Sequence, residues 1–245
     1  MDRRSIVLGG AVLAAGVGAA AASAEAAPAK DLTIYHLEGR RSERIVWLCE
    51  ELGIPYTLVF KRGDLAGSMA TIRGVSPLMA VAPTVKWGDQ IIVESGGIIQ
   101  LLLDNYGKGR LRPALSSPDY PYYLQWLHYA EGSLASRIIA DYRVELIQGL
   151  PKTPSRLVDA EGTVRFADDY VSRHPWFGGA EFSAADIIML FPLNLADVTR
   201  VVDLAKFPAI IAWRKKIEAR PAYQRMLAKA RPDGMIGALK PLPGR

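Results

Sequence analysis

The chain has 245 residues, of which 50% are hydrophobic and 22% are charged, and its formal net charge is +5. These proportions exclude an intrinsically disordered chain and provide ample material for a globular core. The single cysteine excludes a disulfide within the chain, and the three histidines, far apart in sequence, offer no zinc-binding spacing. Because the basic residues near the C-terminus alternate with apolar ones at helical spacing, they indicate a solvated helix face and not a nucleic-acid site.

The N-terminal segment, residues 1–30, is organised like an export signal. Arg3 and Arg4 precede an uncharged run from Ser5 to Ala24, which ends among small residues suited to signal cleavage. The order of residues around the two arginines is similar to that of twin-arginine signals, which a receptor reads as an address. We therefore expect cleavage and export to the periplasm. Two alternatives stay open: an uncleaved membrane anchor, or a misassigned start in front of a cytoplasmic protein.

The next segment, residues 31–108, alternates strand-like and helix-like patterns. Gly53 is placed to end the first helix, and Gly88 and Asp89 form a two-residue turn typical of a hairpin. Cys49 falls on the apolar stripe of the first helix and is predicted to be an inert core thiol. The predicted elements are a strand over 31–35, a helix around 45–52, a strand over 56–60, a short helix over 69–73, a hairpin over 84–93 and a helix over 94–105. The order is βαβ-α-ββα.

The remainder of the chain is predicted to be helical. Residues 109–120 contain two prolines and a Ser-Ser pair, and we expect them to link the first domain to a second, over 121–232, with an irregular tail over 233–245. Two helices are predicted over about 122–148 and 156–172, and a third follows a capping box at Ser183–Asp186. Two more are predicted to begin at Pro208 and Pro221. The predicted fold class is α/β plus all-α.

Four stretches of the chain form a recognisable set: IYHLEGRRSERIVWLCEELGIP over 34–55, SPLMAVAPTVKWGDQIIVESGGIIQLLLDNYG over 76–107, WLHYAEGSL over 126–134 and FSAADI over 182–187. Together they resemble the glutathione S-transferase superfamily, and WLHYAEGSL is similar to helix 4 of a bacterial and fungal branch. The resemblance covers about residues 32–230. It implies a thioredoxin-like domain followed by a helical domain, a homodimer, and transfer of glutathione to an apolar electrophile, a peroxide or a disulfide. Glutathione would be the co-substrate, with no other cofactor and no metal. A protein that keeps the fold and binds glutathione or another ligand without turnover is the alternative.

The resemblance also implies a glutathione-binding site. Pro83 matches a proline that is cis in thioredoxin-like folds, where the backbone of the preceding residue, here Ala82, binds the cysteinyl part of the peptide. Glu94 and Ser95 stand at the start of a predicted helix, where a hydroxyl and backbone N–H groups bind a carboxylate and an acid pairs with an ammonium. The two residues match the family's Glu/Gln-Ser pair, which holds the γ-glutamyl end.

The thiol of glutathione must lose its proton to react, and the loop before the first helix is where the family places its activating residue. This sequence departs from the family pattern there. Ser42 is the candidate residue for donating a hydrogen bond to the thiolate. A role as N-cap of the helix is the alternative. Arg40, or the neighbouring Arg41, could supply positive charge instead.

The electrophile is expected between the two domains. Tyr122, Trp126 and Tyr129 belong to an aromatic cluster at the start of the second domain and are the candidate pocket residues. His128 and Glu131, in the same stretch, are expected to be packing or polar-surface residues.

Overall fold

The computed structural model describes residues 31–148, 159–234 and 241–242. Its first half is built on a mixed four-stranded sheet with the order β2-β1-β3-β4. β1 runs parallel to β2 and antiparallel to β3, which pairs with β4 in a hairpin. The strands are β1 Leu32–Tyr35, β2 Thr57–Val59, β3 Thr84–Trp87 and β4 Gln90–Val93. The predicted hairpin turn at Gly88–Asp89 is confirmed.

Three helices complete this domain: α1 Glu43–Leu52, α2 Leu65–Val75 and α3 Ser95–Leu102, with α3 continuing as a π-helical turn over Leu103–Gly107. The predicted βαβ-α-ββα order is confirmed. The second helix is longer than the predicted 69–73 because the Asp64 side chain caps its first turn by accepting from the N–H of Gly67.

The second half is helical, as predicted. Its helices are α4 Tyr120–Tyr129, α5 Ser136–Gln148, α6 Ala160–Arg173, α7 Ala184–Thr199, α8 Pro208–Glu218 and α9 Pro221–Ala230. A π-helical segment, Ala130–Ala135, joins α4 to α5, so the apolar run predicted as one helix changes its period part-way. The predicted helix start near residue 156 lies outside the described residues, and α6 begins at Ala160 after the N-cap Asp159.

The Asp186 carboxylate joins several segments in the core of the helical half by hydrogen bonds. The predicted capping box is present, with the Asp186 carboxylate accepting from the N–H of Ser183. The same carboxylate accepts from the N–H of Phe177 at 2.9 Å and from Nε1 of Trp213 at 2.8 Å. Because this carboxylate is fully buried, its several donors offset the cost of removing it from water.

The two halves meet along α1, which packs against α7 and α9. Ile45, Leu48 and Cys49 of the predicted apolar stripe are buried, but Val46 and Trp47 on other faces of α1 are buried too, because the helix lies between the two halves. Within the described residues, no helix is long and apolar enough to cross a membrane. The expected export signal lies outside the described residues.

Candidate functional site

The strand register brings three separate segments to one edge of the sheet. Thr84, the first residue of β3, pairs with both Tyr35 at the end of β1 and Val93 at the end of β4. The loop that follows β1, the Ala82–Pro83 dipeptide and the start of α3 therefore lie side by side. The arrangement places all the residues expected around glutathione and its thiol at the same end of the domain.

Two of these segments present polar groups at that edge. The Ala82–Pro83 peptide bond is cis, as expected, and Ala82 lies just outside the strand ladder and is partly exposed. Glu94 is exposed and adopts φ +75°, a conformation that a non-glycine residue rarely occupies. Ser95 is buried at the first position of α3, where backbone N–H groups lack partners within the helix.

The loop between β1 and α1 corrects the expectation for Ser42. Its side chain is fully buried, and its Oγ lies 2.8 Å from Nδ1 of His36 and accepts from the N–H of Leu37 at 3.0 Å. Nε2 of His36 lies 2.6 Å from the carbonyl oxygen of Ala230, which can only accept, so neutral His36 donates from Nε2 and accepts the Ser42 proton at Nδ1. The Ser42 hydroxyl therefore forms hydrogen bonds within the loop and does not reach the cleft. Its side chain also makes no hydrogen bond that caps the N-terminus of α1.

Arg40 is the loop residue that faces the cleft between the domains. It is partly buried, and burial lowers the pKa of its guanidinium although the Glu43 carboxylate opposes the shift. Glu43 also accepts from the N–H of Gly39 at 2.7 Å and forms an ion pair with Arg231 beyond the end of α9. The shape of the loop around Arg40 therefore depends on the C-terminal end of the helical half.

A charged cluster that the sequence did not reveal stands behind Ser95. Arg44, in the first turn of α1, donates from Nη1 to Ser95 Oγ at 3.3 Å and to the carboxylate of Glu131. Arg41 donates from Nε to both oxygens of Glu131 at 3.0 Å. Burial would raise the pKa of Glu131, but the two guanidinium groups together hold it below its usual value. Glu131 is thus a partly exposed polar residue, as expected, and it also connects the helical half to the sheet-containing half.

A cavity of about 320 Å³ lies between α1, α7, α8 and α9, next to the loop that carries Arg40. Its wall is apolar and aromatic with charged groups among them, and it includes Arg40, Arg44, Trp47, Leu190, Phe191, Asn194, Tyr223, Met226 and Arg231. A cavity of this size accommodates a small ligand.

The aromatic residues expected to line the electrophile pocket lie elsewhere. Trp126 is fully buried among Tyr129, Tyr170 and Phe177 in the helical core. Tyr129 donates its hydroxyl to the carbonyl of Thr163, and Tyr122 is exposed beside Tyr170. None of the three lines the cavity between the domains. The expectation failed because the helical period places this face of α4 towards α6 and away from α1.

Cys49 is buried, as expected, and burial raises the pKa of its thiol to about 12, with the Glu50 carboxylate adding to the shift. A thiol with so high a pKa is protonated at neutral pH. Cys49 therefore contributes packing and no redox chemistry at the cleft. In the part of the chain that the structure describes, no three His, Cys, Asp or Glu side chains are grouped to hold a metal ion.

Comparison with known proteins identifies the architecture. The chain superposes with a TM-score of 0.64 on the solved structure of the glutathione transferase URE2P6 from Phanerochaete chrysosporium in complex with oxidised glutathione, at 22% identity, over 82% of this chain and 96% of that one. The chain has the glutathione S-transferase fold. Its N-terminal half is the thioredoxin-like domain of that fold, and its C-terminal half is the helical domain.

Sequence comparison agrees with the fold. Residues 158–221 match the family model "Glutathione S-transferase, C-terminal domain". Glutathione S-transferase 3 of Schizosaccharomyces pombe is 27% identical over 209 residues, which cover 78% of this chain and 84% of the relative. The disulfide-bond oxidoreductase YfcG of Escherichia coli is 28% identical, over 81% of this chain and 95% of the relative. These matches support the glutathione S-transferase superfamily for this chain.

Proposed function

We propose that this protein binds glutathione at the sheet edge formed by Ala82, Glu94 and Ser95 and transfers it to a small electrophile. The observation that carries the proposal is the position of Arg44, which contacts Ser95 at that edge and also lines the cavity that Arg40 faces. A glutathione site has an extended backbone partner, an anion site and a group that stabilises the thiolate. The three segments supply these groups within one cleft.

Arg40 is the residue that we assign to thiol activation. A guanidinium is charged at any physiological pH, so close to the sulfur it favours the thiolate over the thiol. The N-terminus of α1 adds its dipole to the same effect. Ser42 is not assigned this role, because its hydroxyl is engaged by His36 and Leu37.

The acceptor is assigned to the cavity beside Arg40. Its aromatic wall provides the apolar surface, and its volume suits a compound of about one ring better than a large polycyclic one. The chemistry is conjugation of the thiolate, with the protein contributing orientation and thiolate stabilisation. A protein that binds glutathione without turnover is the competing function, and the following experiment separates the two.

The test is glutathione conjugation to a panel of single-ring aryl halides by the wild-type protein and by Asn194→Trp. Asn194 lines the cavity from α7, an element separate from those that carry Ser95 and Arg40, so the larger side chain should reduce conjugation at least tenfold while glutathione affinity is retained. Phe166→Trp is the matched control, because Phe166 is about half exposed on another face of the helical domain. Saturable glutathione binding without conjugation of any compound would favour the non-catalytic alternative.

We also propose that the protein is a homodimer. Exposed apolar side chains support this proposal in two places, Leu78 and Met79 before β3 and Leu146 and Ile147 on α5. Light scattering at micromolar concentration tests it. A mass of one chain at every concentration would contradict it.

Export to the periplasm is the third part of the proposal, and it rests on the sequence of residues 1–30. Mass spectrometry of the protein recovered from its native host tests it. A mature N-terminus near Glu25 supports cleavage and export, whereas an intact prefix on a cytoplasmic protein would contradict them.

A further inference from the structure

Arg44 is a buried cation whose donors are incompletely used. Its side chain is 2% exposed, and its Nε and Nη2 groups have no hydrogen-bond partner among the described residues. Its third donor group, Nη1, reaches both Ser95 and Glu131. Unpaired donors on a buried guanidinium cost stability, and buried polar groups with this deficiency call for an explanation other than packing.

The contact between Arg44 and Ser95 determines which of the two residues donates the hydrogen bond. A guanidinium can only donate, so Ser95 Oγ must be the acceptor of the 3.3 Å hydrogen bond. The Ser95 proton is then left for a different acceptor, and no group among the described residues accepts it. Ser95 is the first residue of α3, so its proton and the N–H groups of the first turn are available to the same anion.

The surrounding charge favours an anion at that position. Arg41 and Arg44 share the single carboxylate of Glu131, which leaves one positive charge on the cluster of three residues. Burial lowers the pKa of Arg44 to about 10, against the opposing effect of Glu131, so the guanidinium stays protonated at neutral pH. A carboxylate bound at Ser95 therefore lies next to a net cation, and the Arg44 guanidinium that contacts Ser95 is itself buried.

We propose that Arg44 is the positioning residue for carboxylate recognition by Ser95, and that Glu131 holds Arg44 in place from the helical domain. The inference rests on the proposed function and deepens it, because it makes the free α-carboxylate of the γ-glutamyl end the feature that the site selects. It also gives the helical domain a part in peptide binding, through a side chain that does not touch the peptide.

The test compares two peptides by calorimetric titration: glutathione and γ-aminobutyryl-cysteinyl-glycine, which lacks only that carboxylate. The wild-type protein should bind glutathione at least tenfold more tightly. Arg44→Met should weaken glutathione binding at least tenfold and change the affinity for the analogue less than twofold. Arg225→Met is the matched control, since Arg225 is 51% exposed, pairs with Glu50 and lies outside the cluster of Arg41, Arg44 and Glu131, and it should change neither affinity more than threefold.

Several results would overturn the inference. Equal weakening of both peptides by Arg44→Met would assign Arg44 a purely structural role, and an unchanged glutathione affinity would remove it from the site. If Arg44→Met fails to fold, Arg44→Lys keeps a cation beside Glu131, and its loss of affinity must again be confined to glutathione. A wild-type protein that binds both peptides equally would overturn this inference alone, whereas one that binds neither would overturn the proposed function with it.

Discussion

At the scale of single residues, Arg40 and Ser42 lie two positions apart in one loop and have opposite orientations. Arg40 faces the cavity between the domains, whereas the hydroxyl of Ser42 is enclosed with His36 and the N–H of Leu37. The sequence named both as candidates for thiol activation. It favoured Ser42, because it could not show which side chain reaches the cleft: the orientation of a loop side chain depends on partners distant in sequence, here Ala230, which fixes the imidazole of His36.

The two residues should therefore respond differently to substitution. Arg40→Met should raise the pKa of the bound glutathione thiol by about one unit, because it removes the positive charge that stabilises the thiolate. Ser42→Ala should leave that pKa unchanged and should lower the free energy of unfolding by about 1–3 kcal/mol, because it leaves two buried polar groups without a partner. Thiolate absorbance against pH measures the first quantity, and urea unfolding measures the second. A raised thiol pKa in Ser42→Ala alone would reverse our assignment.

His36 should make the stability of the protein depend on pH. Burial lowers its pKa below the ordinary 6.5, although Ala230, Glu43 and Glu38 act in the opposite direction. A folded-state pKa below the unfolded one means that the unfolded chain binds the proton more readily, so stability is complete above pH 6.5 and is lost as the pH falls. The free energy of unfolding should therefore decrease below pH 6.5, by at most about 1.4 kcal/mol per pH unit from this group.

His36→Gln isolates that contribution. The variant should be less stable at pH 7.5 and should show a flatter dependence of unfolding free energy on pH between about 5 and 6.5. Chemical unfolding at a series of pH values measures both. A slope identical to that of the wild-type protein would show that His36 does not titrate in this range.

At the scale of elements, α1 is the contact between the two domains. Its N-terminal end meets Glu131 through Arg41 and Arg44, and Glu43 meets Arg231 beyond α9. The period of its apolar residues predicted that Ile45, Leu48 and Cys49 are buried, but not that Val46 and Trp47 on other faces are buried as well. The ion pairs could not be predicted, since Glu131 lies on a π-helical segment, where a period of 3.6 residues assigns side chains to the wrong face.

The ion pairs of α1 should differ in strength according to their burial. Arg231 and Glu43 are 16% and 11% exposed, so Arg231→Met should lower the free energy of unfolding by about 1–3 kcal/mol. Arg225→Met is the control, because Arg225 is 51% exposed and its partner Glu50 also accepts from Lys229. That change should cost less than about 1 kcal/mol. Urea unfolding of both variants measures the difference. Equal losses of unfolding free energy in the two variants would contradict the prediction that the more buried ion pair is the stronger one.

At the scale of the whole molecule, the sequence was sufficient to predict the fold class. That prediction relied on patterns that involve only a few neighbouring residues and can therefore be read from the sequence. They are the strand and helix periods, the turn at Gly88–Asp89 and the capping box at Ser183–Asp186. The sequence did not predict the wall of the cavity, since α1, α7, α8 and α9 contribute to it from four separate parts of the chain. Trp126 was assigned to the cavity for its chemistry, yet it belongs to the helical core.

The most direct test of glutathione binding at the sheet edge is calorimetric titration of glutathione into the protein, with Ser95→Ala and Ser136→Ala compared. Ser136 is exposed at the start of α5, and its hydroxyl donates to the carbonyls of Gly132 and Ser133 in the preceding turn, so it controls for loss of a serine. We predict a dissociation constant between about 1 μM and 1 mM for the wild-type protein and for Ser136→Ala, and at least tenfold weaker binding by Ser95→Ala. The absence of saturable heat with the wild-type protein, or equal affinities in all three proteins, would contradict the site.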